Sequence, residues 1–108
     1  MAFNVTSKIL EDGTAEITLV GELDGSVAND FKAAVEKVAL EKPKKVVLMV
    51  KDLEYMSSAG LRVLVFTKQK MGSDVDIYVI AAQDAVRDTI EMTGFQHSVI
   101  IQDEYNAI

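Results

Sequence analysis

Apolar and polar positions alternate loosely from Phe3 to Glu11, with Phe3, Val5, Ser7 and Ile9 in one phase, as in a strand with one wet face. Asp12-Gly13 is a hairpin signal, and a second strand follows from Ala15 to Val20, with Ala15, Ile17 and Leu19 on one face. The two strands are expected to pair antiparallel. The stretch Gly21-Glu22-Leu23-Asp24-Gly25-Ser26 then breaks the pattern, with Ser26 as the expected N-cap of a helix. Phe31, Ala34, Val35, Val38 and Ala39 recur at helical spacing and draw one apolar stripe, and Pro43 stops that helix.

The run Lys45-Val46-Val47-Leu48-Met49-Val50 lacks polar alternation, which predicts a strand buried on both faces and central in a parallel arrangement. A helix begins near Ser58. Leu61, Leu64 and Val65 form its inward stripe, while Val63 and Phe66 are expected to be partly exposed. Val75 to Ala81 reads as a further strand and Gln83 to Thr93 as a third helix, with Val86 and Ile90 inward and Gly94 as its C′ residue. Ser98 to Ile101 reads as a short last strand, and Asp103 to Ile108 as a tail that frays or forms one short turn. The order β-β-α-β-α-β-α-β predicts an α/β fold: a mixed sheet opened by an antiparallel hairpin, with helices packed on it through right-handed crossovers.

Length and composition narrow the function. A chain of 108 residues is expected to be one domain, residues 1-108, with one core. Seventeen acidic against eleven basic residues leave a formal charge of −6, which disfavours nucleic acid and anionic membrane as partners and leans towards a monomer. No apolar run is long enough to span a bilayer, and Met1-Ala2-Phe3-Asn4 is not a signal-peptide start, so the cytoplasm is the expected location. Cysteine is absent, which removes disulfide and thiolate chemistry. No phosphate-binding glycine loop, metal-ligand cluster or Gly-x-Ser-x-Gly elbow is present, so no cofactor, metal or catalytic residue is expected. An esterase-like use of Ser58 with the single histidine, His97, is the weakest alternative.

What remains is the turn Tyr55-Met56-Ser57-Ser58-Ala59-Gly60-Leu61, between a strand and a helix. The first N–H groups of a helix have no partner within it and hold an anion well. A serine there is commonly just an N-cap. Two serines exceed what one cap needs, and Gly60 permits close packing of strand and helix. Apolar residues expected to be exposed nearby, Val63 and Phe66, suggest a docking surface beside a modifiable hydroxyl.

The segment from Asp52 to Leu64 resembles the signature of STAS domains, specifically the stand-alone anti-sigma-factor antagonists of bacteria, and Gly21-Glu22-Leu23-Asp24 looks like that family's second marker. Element order and length agree over nearly the whole chain. The resemblance implies that Ser58 is phosphorylated by an anti-sigma factor that is itself a serine protein kinase, and that a PP2C-type phosphatase reverses this. It further implies that the unphosphorylated form binds the kinase and releases the sigma factor. Asp24 would lie beside Ser58, and Ser57, Ala59, Gly60, Arg62, Val63 and Phe66 would complete the partner-binding surface. Two positions depart from many members: Ser57 replaces an aspartate and is an alternative phosphate acceptor, and Arg62 replaces a glycine. The alternative reading is a non-switching STAS scaffold or sensor domain in a larger signalling assembly.

Overall fold

In a computed structural model that describes residues 2–105, the opening hairpin forms as its pattern predicts. β1 (Asn4–Ile9) pairs antiparallel with β2 (Ala15–Leu23), with Asn4 opposite Val20 and Ile9 opposite Ala15. The Thr14 N–H donates to Asp12 Oδ1 at 2.9 Å across the turn, and Gly13 sits at φ 88°, where an L side chain is strained. α1 (Ala28–Ala39) follows, then β3 (Lys45–Met49), β4 (Leu53–Met56), α2 (Ser58–Met71), β5 (Asp76–Ile80), α3 (Asp84–Met92), a 3-10 turn at Phe95–His97 and β6 (Ile100–Gln102). The sheet runs β1-β2-β3-β5-β6, parallel after the hairpin, with β4 attached to the far end of β2.

β3 lies at the centre, as its unbroken apolar run requires. Val46 and Leu48 face the helices within the main core, and Val47 is buried on the opposite face. Phe31, Val35 and Val38 of α1, Leu61 and Leu64 of α2, and Val86 and Ile90 of α3 close the core from the helical side. On the other side the Tyr105 ring meets Tyr78 edge-on, with centroids 5.0 Å apart. The part of the expected tail at positions 106–108 lies outside the described residues. Gly94 takes the left-handed conformation expected after α3, at φ 78°.

Several expectations are corrected. First, Gly21 to Leu23 does not break the second strand. β2 continues to Leu23 by changing partner: its first half pairs with β3 and its last three residues with β4. The register shifts between Gly21 and Glu22, and Gly21 makes this possible at φ 95°, its N–H donating to Asp52 O at 3.0 Å. A Cβ there would stand 2.5 Å from the Ala2 carbonyl oxygen. Second, Ser26 does not cap α1. Val27 occupies the N-cap position without a side-chain bond, because the Ser26 hydroxyl is turned back to Asp24. Third, Val63 is not exposed: it is 7% accessible and part of the core, because α1 packs along the flank of α2 while the sheet takes the face beneath. Val65, placed inward by the pattern, is only half-buried.

Candidate functional site

The turn from β4 into α2 is built on the end of β2. Leu23 pairs with Met56, and the Ser57 N–H donates to Leu23 O at 2.8 Å. This bond places the chain one residue beyond each strand, Asp24 and Ser57, side by side at the same edge. Gly60 then presses on Leu23: a Cβ there would stand 2.7 Å from Leu23 Cγ, so only hydrogen fits without a shift. Gly25 approaches Ala59, with a virtual Cβ 3.9 Å from the Ala59 Cβ, so the loop between β2 and α1 rests against the first turn of α2. β4 was not anticipated from the sequence. Its four residues run buried, exposed, exposed, buried (Leu53, Glu54, Tyr55, Met56), so no two-residue alternation marks it as a strand.

The paired serines have different duties. Ser57 is half-buried, with extended backbone at φ −78° and ψ 171°, and its Oγ accepts from the Gly60 N–H at 3.2 Å. Its carbonyl also accepts the first bond of the helix, from Leu61 N–H at 2.9 Å. Ser57 is therefore the N-cap. Ser58, the first helical residue, is exposed, and its hydroxyl makes no hydrogen bond among the described residues. A phosphate on Ser58 would sit over the N-terminal turn of α2, where the helix dipole is favourable to negative charge and no acidic residue occupies the first turn.

Asp24 closes one side of this face. Its Oδ1 accepts from the Ser26 hydroxyl at 2.6 Å and from the Ser26 N–H at 2.9 Å. These bonds, the hydroxyl's first, hold its carboxyl below the usual aspartate value. The loop is thus shaped by an ionised aspartate bonded within its own turn. Ala59 is half-buried and Arg62 exposed. Phe66 is half-buried against the core, with Lys32 Nζ of α1 4.9 Å from its ring centroid, so part of the apolar area expected to be open is covered by a cation.

The structure brings Asp24, Ser57, Ser58, Ala59 and Gly60 together at one edge, with Arg62 one turn along and Phe66 a further turn along on α2. It removes Val63 from that surface. His97 lies exposed in the 3-10 turn after α3, and no hydrogen bond joins it to either serine among the described residues. No helix of the described residues is long and apolar enough to cross a membrane.

Comparison with known proteins places this geometry. The chain is 29% identical over 83 residues to the anti-sigma-F factor antagonist RsfB of Mycobacterium tuberculosis, an alignment covering 77% of this chain and 68% of that protein. Its fold superposes on an anti-sigma factor antagonist from Mycobacterium paratuberculosis with a TM-score of 0.86 at 24% identity, covering 95% of this chain and 87% of the other. It also matches the Bacillus cell fate determinant SpoIIAA in its phosphorylated form, with a TM-score of 0.71 at 16% identity, covering 95% of this chain and 93% of the other. The STAS domain family model matches residues 7–107, and the chain belongs to that family.

Proposed function

We propose that this protein is an anti-sigma factor antagonist whose partner binding is switched off by phosphorylation at Ser58. The observation that carries the reading is the division of labour between the serines. Ser57 supplies the cap, so Ser58 contributes a free, exposed hydroxyl at a helix N-terminus. Modification there costs the fold no hydrogen bond. The sequence similarity to RsfB supports the antagonist role, and the existence of SpoIIAA in phosphorylated and unphosphorylated forms supports a switch in a protein of this fold.

On this reading the unphosphorylated chain acts as a single domain over residues 1-108, a cytoplasmic monomer. It docks on an anti-sigma factor with serine kinase activity through Asp24, Ala59, Arg62 and Phe66 around Ser58. A PP2C-type phosphatase restores the hydroxyl. The phosphate brings about −1.5 to −2 charge to a chain already at −6, and bound water that docking must strip away. A loss of about 1.4–2.8 kcal/mol in binding weakens affinity by roughly ten- to a hundred-fold.

Incubation with ATP and the anti-sigma kinase of the same cell tests the proposal. One phosphate is expected, mapped to Ser58 by tandem mass spectrometry. Ser58→Ala should abolish it and Ser57→Ala should retain it. Transfer to Ser57 alone, or no transfer to either serine, overturns the assignment. Partner affinities left unchanged by Ser58→Asp would favour a non-switching scaffold.

A further inference from the structure

We infer that Arg62 is the internal counter-ion of a phosphate on Ser58, an intrachain clamp on the modified side chain. The inference rests on the switch reading for its biological use, but the pairing is a property of the chain alone. Ser58 and Arg62 stand four residues apart on one helix, which places their side chains on the same face about 5–6 Å apart at Cβ. Both are exposed, so neither must leave the core to meet the other.

Two cations of the helical layer are otherwise engaged: Lys32 of α1 lies over the Phe66 ring, and Lys68 Nζ, further along α2, donates to Val75 O at 2.7 Å. Among the described residues, Arg62 has no ion pair or hydrogen bond from its side chain. Its planar guanidinium suits two parallel bonds to phosphate oxygens, a geometry that lysine cannot reproduce. The first turn of α2 contains no acidic residue that would compete for it. Phosphorylation would then change this face twice: it adds negative charge and draws the Arg62 guanidinium away from solvent.

The test uses the 108-residue chain carrying phosphoserine installed at position 58 during synthesis, so no kinase is needed. Phosphorus NMR then follows the second ionisation of the phosphate. With Arg62 present its midpoint should lie at least about half a unit below that of the R62A variant, because the neighbouring cation favours the dianion. R62K should fall between the two. Identical midpoints in the three proteins, each folded by circular dichroism, would overturn the clamp and leave phosphorylation at Ser58 untouched. Failure of the kinase to modify Ser58 would instead overturn the switch and leave the clamp standing.

Discussion

At residue scale the two serines make opposite predictions although they are neighbours. Removing the Ser57 hydroxyl leaves the Gly60 N–H unpaired in a half-buried turn. Ser57→Ala is expected to cost about 0.5–2 kcal/mol, the range for losing a serine N-cap. In a domain near 100 residues this lowers the melting temperature by roughly 4–8 °C per kcal/mol. Ser58→Ala touches no bond and is expected to lie within about 0.5 kcal/mol of the parent, as exposed substitutions usually do. Urea denaturation of both variants checks the contrast, and equal losses would show that the cap is shared. Gly60 is the stricter position. Gly60→Ala drives a methyl group into Leu23 Cγ and is expected to cost about 1–3 kcal/mol, an overpacking penalty. The same change displaces the start of α2, so phosphate transfer to Ser58 should slow in step with the lost stability.

At the scale of elements, the face depends on two short pieces, the end of β2 with β4 and the loop that Asp24 organises. Gly21 lets β2 leave β3 and take β4 as its partner. Gly21→Ala strains a φ of 95° and collides with the Ala2 carbonyl. Faster amide exchange is therefore expected at Leu23 and Ser57 before any is seen in β3. The Asp24 loop has its own pH dependence. Its carboxyl titrates below the usual aspartate value because the Ser26 hydroxyl and N–H stabilise the ionised form. A lowered folded value means that the contribution is fully present above about 3.8 and disappears as the pH falls through the folded value. Ser26 amide protection should therefore be flat from neutral pH to about 4 and decline below it, and Asp24→Asn should flatten that decline.

The strong patterns were legible because each has one dominant period. β3 shows as a run without polar interruption, and α1 and α3 as single stripes. β4 offers four residues, too few to display a period, and its pairing depends on a bulge at Gly21 that no local pattern announces. Val63 was misplaced for a related reason. A helical wheel assigns one buried face, whereas α2 is covered on two sides, by the sheet and by α1. The candidate serine turn was legible from spacing alone. The assignment of the cap to Ser57 rather than Ser58 required the backbone geometry.

For the whole molecule, the question is whether a change at Ser58 stays local. The core beneath it is continuous, from Leu23 and Met56 through Leu61 and Leu64 to the central strand, and β3 is hydrogen-bonded on both edges. Packed interiors resist graded deformation, so a charge added outside them is expected to alter a surface and not a fold. Exchange protection should be greatest in β3 and least in β1 and β6, the strands at the two ends of the β1-β2-β3-β5-β6 path. Comparing unmodified chain with chain carrying phosphoserine at 58, the changes should be confined to the first turns of α2 and to the Asp24–Val27 loop that rests on it. The amides of Val46, Val47 and Leu48 should exchange at the same rate in both forms. If instead β3 loosens on phosphorylation, the modification acts through the core, and the surface account of the switch is wrong. Salt separates the two cases again. A surface charge mechanism predicts that the affinity difference between the two forms narrows as ionic strength rises from about 0.1 M towards 1 M, where the screening length falls from roughly 10 Å to 3 Å. A mechanism that passes through packing would leave that difference nearly unchanged.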